Sequence, residues 1–234
     1  MESEAICEVA LSERLMQLRE TIADLAVKYH RQPDEIRLLA VSKKHSVNNI
    51  RTAYHHGQTA FGENYVDEAE AKIKILQDLK IDWHYIGPIQ SNKTRRIAEQ
   101  FMWVHSIDRV KVAQRLNDQR PGHLPPLNVC IQVNIDLEST KSGALPEHAL
   151  ALVEAILLMP KLRLRGLMAV PRPRTVLNEQ REPFARLRQL FERLKSVEPK
   201  LDTLSMGMSA DIEAAIAEGT TMLRVGTALF GPRV

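Results

Sequence analysis

Ser205-Met206-Gly207-Met208-Ser209 and Arg224-Val225-Gly226-Thr227 each place glycine among hydroxyl or cationic residues at the end of a short apolar run. Glycine lets backbone N–H groups approach an anion closely, and Ser205, Ser209 and Thr227 add hydroxyl donors. Together these residues read as a phosphate cradle. They suit helix caps and tight turns equally well. Ser42-Lys43-Lys44 offers different chemistry. A partly desolvated lysine can lose its proton and form a Schiff base with a carbonyl. Strand period separates Leu39, Val41 and Lys43 from Leu38, Ala40, Ser42 and Lys44, but leaves open which set faces inward.

Other reactive residue types assemble into nothing comparable. The histidines show no H-x-x-x-H or H-E-x-x-H spacing, and adjacent His55 and His56 point to different faces of a helix. Surface or helix-packing roles are expected for them. Cys7 and Cys130 lie far apart without a C-x-x-C partner, so neither a disulfide framework nor a zinc site is indicated. Cys130 reads as a small buried hydrophobe. Pro171-Arg172-Pro173-Arg174 reads as an exposed loop whose arginines lie within reach of an anion, and Arg95 and Arg96 as solvated charge.

Positioning such residues requires a scaffold, and the chain alternates short β-rich runs with stretches of helical period. The runs are Ile36–Ser42, Thr59–Gly62, Trp83–Ile86, Met102–Ser106, Leu127–Ile135, Leu162–Met168, Thr203–Ser205 and Met222–Val225. Helices are expected over Ser12–His30, Val47–His56, Tyr65–Leu79, Asn92–Gln100, Arg109–Gln119, Pro146–Leu158, Glu182–Val197 and Ala210–Glu218. Pro33, Pro146 and Pro183 mark helix starts, while Gly57 and Gly219 mark ends. No hairpin signature occurs, so the strands are expected to pair in parallel. A length of 234 residues lies close to the roughly 250 of a (β/α)8 TIM-type barrel, an α/β fold. The expected organisation is one barrel domain over 1–234, with the N-terminal helix of residues 1–32 packed on it.

In such a barrel the strand C-termini carry function, and here they are polar and glycine-rich. Glu63, Asn64 and Tyr65 follow the second run, Gly87 and Pro88 the third, Asn134 and Asp136 the fifth, and Met168 closes the sixth.

Composition is that of an ordinary globular chain, with 44% hydrophobic and 26% charged residues. The net charge of +3 is spread over both signs along the chain, so no nucleic-acid partner is indicated. No apolar run reaches membrane-spanning length, and Met1–Ala10 lacks a basic signal region. A cytoplasmic location is expected.

Taken in order, LLAVSK at 38–43, FGENY at 61–65, WHYIGPIQSNK at 83–93, ESTKSG at 138–143, GLM at 166–168, SMGMS at 205–209 and LRVGTALFG at 223–231 resemble the pyridoxal phosphate homeostasis protein family. The resemblance implies an alanine-racemase-like barrel of PLP fold type III without the racemases' second β domain. Pyridoxal 5'-phosphate (PLP) is then its cofactor, held as a lysine aldimine.

Carried over by motif, Lys43 is the Schiff-base lysine, which settles it over Lys44. Arg224 lies at the pyridine nitrogen, and Ser205, Gly207, Ser209, Gly226 and Thr227 hold the phosphate. Asn64, Asn134 and Met168 are wall residues, and Lys141 is an accessory PLP-reactive amine. No metal site is implied.

A guanidinium has only donors, so a pyridine nitrogen facing Arg224 must accept and the ring stays unprotonated, a poor electron sink. The chain also stops at Val234. The first point disfavours broad carbanion chemistry and leaves racemisation or plain carriage. The racemases that this barrel resembles need a second domain, so the second point favours a non-enzymatic carrier in PLP and amino-acid homeostasis. It is expected to be monomeric, with apo PLP-dependent enzymes as recipients. The alternatives are a PLP-dependent racemase using Lys43 with Tyr65 or Tyr85 as opposing base, and a cofactor-free Schiff-base aldolase acting on phosphorylated sugars.

Overall fold

The β-rich runs become eight parallel strands that close in sequence order, with the last pairing the first. They are β1 (Arg37–Val41), β2 (Ala60–Glu63), β3 (Asp82–Tyr85), β4 (Trp103–Ile107), β5 (Leu127–Gln132), β6 (Leu162–Met168), β7 (Thr203–Ser205) and β8 (Met222–Val225). The helices of the outer layer are α1 (Glu2–Lys28), α2 (Val47–His55), α3 (Val66–Ile75), α4 (Thr94–Gln100), α5 (Val110–Gln119), α6 (Ala149–Leu157), α7 (Leu177–Lys195), α8 (Ile212–Ala217) and α9 (Thr227–Phe230). This computed structural model describes residues 2–232, with backbone alone for 2–8. Met1, Arg233, Val234 and the Cys7 side chain therefore lie outside the described residues.

Alternation along the strands sorts side chains into two cores. Leu39, Ala60, Trp103, Cys130, Met168 and Met222 fill the barrel interior. Their neighbours Ala40, Phe61, Tyr85, Val104, Val129, Leu167, Leu223 and Val225 pack outward under the helices. Burying both faces is what makes these runs nearly continuously apolar. Cys130 is buried, as its apolar context suggests, and burial pushes its thiol up to about 12.

Helix boundaries depart from expectation in definite ways. α1 begins ten residues before Ser12, because no breaker separates Glu2 from Ser12. Its buried stripe of Leu11, Leu15, Leu18, Ile22 and Ala26 joins the outer core, and the helix lies against α2, α8 and α9. α7 begins at Leu177, so Pro183 lies inside it rather than at its start. A proline there removes one helical hydrogen bond. The apolar face running through Phe184, Leu187, Leu190 and Phe191 extends back to Leu177 and outweighs that loss. α9 was not expected, since a four-residue helix is too short to show a period.

Candidate functional site at the barrel mouth

Parity answers the question that strand period left open. Leu39 points into the barrel and Ala40 out of it, so continuing past Val41 puts Lys43 on the inward side and Ser42 on the outward side. The backbone around Lys43 is held tightly. Lys44 adopts a left-handed conformation (φ 62), and the His45 N–H donates to the Ser42 carbonyl at 3.0 Å. Non-glycine residues accept this conformation only at some cost, so surrounding contacts must enforce it.

The buried Lys72 Nζ supplies those contacts. It donates to the Ser42 carbonyl at 2.7 Å, to Glu63 Oε1 at 2.8 Å and to Glu68 Oε1 at 2.7 Å. Glu68 also accepts from the Lys44 N–H, and the Ser42 hydroxyl donates to Glu63 at 2.6 Å. Burial raises the Glu63 carboxyl and the Lys72 charge opposes that rise. This clamp fixes the segment that carries Lys43.

Lys43 lines a cleft of about 340 Å3 together with Val41, Asn64, Ile86, Ser209, Arg224, Gly226 and Thr227. Six of the sequence-derived candidates thus meet at one place. The register explains the meeting: Leu39 lies beside Arg224 and Val41 beside Gly62, which puts the ends of β1, β2 and β8 at one rim. Gly87 presses against the Asn64 backbone so closely that a Cβ would lie 2.1 Å from the Asn64 carbonyl oxygen. Asn64 Oδ1 is buried and has no hydrogen-bond partner. The Ser209 hydroxyl oxygen accepts from the Ala228 N–H at 3.2 Å, tying the loop after β7 to the loop after β8 and leaving its hydrogen to donate.

A second cleft of about 320 Å3 shares Ile86 and Val170 with the first and is lined by Asn134, Lys141 and Met168. Met168 therefore reaches the mouth from the neighbouring side. A larger crevice of about 580 Å3, between Pro126, Arg163 and Lys200, involves residues from the N-terminal ends of β5, β6 and β7. Chemistry in barrels sits at the other end.

Several expected roles change. Ser205 is fully buried and does not line the cleft; its Oγ is bonded to Arg224 Nη1 and to His105 Nδ1, both at 2.8 Å. Gly207 is likewise buried, and glycine is needed there because φ is +94 and a Cβ would lie 2.5 Å from the Ala215 Cβ. Both support the floor rather than touch the cavity. The Asn134 amide is consumed within its own loop, donating to the Glu138 carbonyl at 2.7 Å and accepting from the Glu138 N–H at 3.1 Å.

The two loop arginines do not stand ready for an anion from solution. Arg174 grips Asp136 with both terminal nitrogens, at 3.0 and 2.9 Å, and Arg172 pairs with Glu138 at 3.3 Å. Asp136 falls to about 2: its burial works the other way, and the bonds from Arg174 and the Arg172 N–H outweigh it. Lys141 is held by Glu138 at 2.8 Å.

Sequence reasoning missed the Glu63–Lys72–Glu68 clamp, although the i, i+4 spacing of Glu68 and Lys72 was there to be read. It also expected surface or helix-packing roles for the histidines, and two of them have neither. His84 and His105 are completely buried inside the barrel. Their inward parity on β3 and β4 was the available signal.

Arg224 lies at the cleft floor. Its Nη1 donates to the Ser205 carbonyl and hydroxyl, and its Nη2 donates to the Ala169 carbonyl at 2.8 Å. Burial pushes it down to about 10, so it remains a cation near neutrality.

Residues 14–234 match the family model described as alanine racemase, N-terminal domain. The chain is 53% identical over 223 residues to the pyridoxal phosphate homeostasis protein of Pseudomonas aeruginosa, covering 95% of this chain and 96% of that one. It is 50% identical over 226 residues to the protein of the same name from Escherichia coli strain K12, covering 95% and 97%. Among solved structures, PipY of Synechococcus elongatus PCC7942 with PLP bound superposes with a TM-score of 0.82 at 36% identity, covering 94% of this chain and all of that one. Alanine racemase from Corynebacterium glutamicum, at 15% identity and a TM-score of 0.71, shares the fold over 96% of this chain and 61% of its own.

Proposed function

The chain belongs to the pyridoxal phosphate homeostasis family, built on the alanine racemase N-terminal barrel, and from that premise we propose that it is a carrier that holds PLP at the barrel mouth on Lys43 and gives it up without turning over a substrate. The supporting observation is the convergence, in one cleft, of an amine, a buried cation, hydroxyls on two linked loops and an apolar wall. A phosphorylated aromatic aldehyde matches that set. When bound, PLP supplies an aldehyde that condenses with primary amines and a ring that withdraws electrons from the carbon so attached.

The chain's own residues then divide the work. Lys43 provides the amine, on a backbone fixed by Lys72 and Glu68. Val41, Ile86 and, from the neighbouring side, Met168 offer apolar contact to the ring. Ser209, Gly226 and Thr227 would hold the phosphate, and Asn64 brings to the cleft a buried carbonyl oxygen without a hydrogen-bond partner. Arg224 has only N–H donors to offer a ring nitrogen, so that nitrogen accepts and stays unprotonated.

The tyrosines favour carriage over racemisation. Tyr85 points outward into the helix-covered core, packs edge-on against Phe101 and donates its hydroxyl to the Pro88 carbonyl at 3.0 Å. Burial pushes it up to about 12, which makes it a poor base near neutrality. Tyr65 is 51% exposed at the start of α3 and lies outside the residues lining the cleft. A monomeric cytoplasmic protein with apo PLP-dependent enzymes as recipients completes the reading.

Phosphate recognition provides the test. Each charge-assisted bond from Ser209 or Thr227 is worth roughly 1.5 to 3 kcal/mol, so Ser209→Ala with Thr227→Ala is expected to weaken PLP binding by about a hundredfold. Pyridoxal, which lacks the phosphate, should bind the wild-type protein at least that weakly in fluorescence titration. Equal affinity for PLP and pyridoxal would remove the phosphate site.

A further inference from the structure

A chain of hydrogen bonds runs from Arg224 at the mouth to His84, and His84 comes close to Asp82 at the opposite end of the barrel. Arg224 Nη1 donates to Ser205 Oγ at 2.8 Å, Ser205 Oγ lies 2.8 Å from His105 Nδ1, and His105 Nε2 lies 2.9 Å from His84 Nδ1. His84 Nε2 then lies 3.2 Å from Asp82 Oδ2, at the start of β3, where Arg37 also pairs with Asp82 at 3.4 Å. Both imidazoles are fully buried, and burial lowers the basicity of each, so both are neutral.

The ends of this chain dictate its direction. A guanidinium can only donate and a carboxylate can only accept. Ser205 Oγ receives a hydrogen from Arg224 and passes its own to His105 Nδ1. His105 must then carry its hydrogen on Nε2 and donate to His84 Nδ1. His84 in turn carries its hydrogen on Nε2, beside the Asp82 carboxylate at 3.2 Å but without an aligned hydrogen bond to it. The reversed arrangement would face the His84 Nε2 lone pair with the Asp82 carboxylate, two acceptors with no hydrogen between them. Trp103 stacks on His84, with centroids 5.2 Å apart and planes 7° from parallel, and this fixes the ring.

We propose that Ser205, His105, His84 and Asp82 form a one-way relay that positions Arg224 and thereby sets how the protein holds the ring nitrogen of PLP. The inference rests on the PLP reading for its purpose, but the relay itself exists in the apo-protein. These are positioning residues: the relay reaches the cleft only through Arg224. Breaking the middle leaves the Ser205 hydroxyl and His84 Nδ1 without their partner and loosens one support of Arg224, whose bonds to the Ser205 and Ala169 carbonyls remain.

Nitrogen NMR of the imidazoles in the apo-protein at pH 7.5 tests the relay without any ligand. The expected result is the Nε2–H tautomer at both His84 and His105, and an Nδ1–H tautomer at either overturns the proposal. In PLP-loaded protein, His105→Leu, which keeps bulk but neither donor nor acceptor, is expected to weaken PLP binding by about tenfold and to shift the absorption spectrum of bound PLP. His105→Gln, which offers one acceptor and one donor, should restore most of both. A folded His105→Leu protein with wild-type affinity and spectrum overturns the proposal. If that variant does not fold, Asp82→Asn carries the test from the far end, where a spectrum identical to wild type overturns it. A wild-type protein that binds no PLP would overturn the functional reading and with it the relay's purpose, while the tautomers still decide the relay.

Discussion

Lys43→Ala protein is expected to form no borohydride-fixable bond to PLP, while its melting temperature stays within a few degrees of wild type. The two halves of this result have separate causes. The covalent bond needs an amine in the cleft, and Lys43 is the lysine whose inward parity and position beside Asn64 and Arg224 provide one. The fold needs the backbone of that segment, which Lys72, Glu63 and Glu68 grip through the Ser42 carbonyl and the Lys44 N–H. Truncating a half-buried rim side chain typically costs about 0.5 kcal/mol or less, which shifts melting by roughly two degrees in a chain of this size. Phosphate contacts should retain some PLP without the bond. Mass spectrometry after borohydride treatment reads the outcome. A full-occupancy adduct in the variant would transfer the role to another amine, with Lys141 in the adjoining cleft first in line.

The barrel was legible because its signals are local. Each strand is a short apolar or β-branched run bounded by turn residues, and the bounds of β6, β7 and β8 coincide with those runs. Lys43, Asn64, Ser209, Arg224, Gly226 and Thr227 were legible as strand-end residues that a barrel must gather at one rim. What stayed hidden depends on pairing across the fold. Ser205 looked like a phosphate ligand because serine beside glycine suits that role, yet its hydroxyl is committed to His105, one hundred residues away in sequence. The histidines were concealed too, since their spacing of 21 residues along the chain says nothing about their contact through the barrel interior. Arg172 and Arg174 read as open cationic groups because their partners Asp136 and Glu138 sit on a different loop.

Incubated with L-alanine in deuterated water, the PLP-loaded protein is expected to change its absorption spectrum while deuterium at the α-carbon and the D-isomer stay far below enzyme-like rates. Racemisation needs a base on each face of the substrate's α-carbon, each within hydrogen-bond reach. Lys43 can serve on one face. The other would require Tyr65 or Tyr85, and the Tyr85 hydroxyl is turned outward and bonded to Pro88, while Tyr65 is exposed outside the cleft lining. A contact from Arg224 to the ring nitrogen would slow the reaction further, since a ring nitrogen that accepts from a guanidinium is unprotonated and withdraws electrons weakly. Turnover at roughly 1 per second or faster, read by proton NMR of the α-position, would promote the racemase reading.

Carriage itself is tested most directly by delivery. PLP-loaded wild-type protein, freed of unbound cofactor by gel filtration, is mixed with the apo-form of a PLP-requiring enzyme, and that enzyme's activity is followed against an equal amount of free PLP. The carrier account predicts that activity is recovered to the level set by the PLP supplied, and that protein whose Lys43 bond has been fixed with borohydride delivers none. A loaded protein that keeps its PLP while the apo-enzyme stays inactive would contradict it.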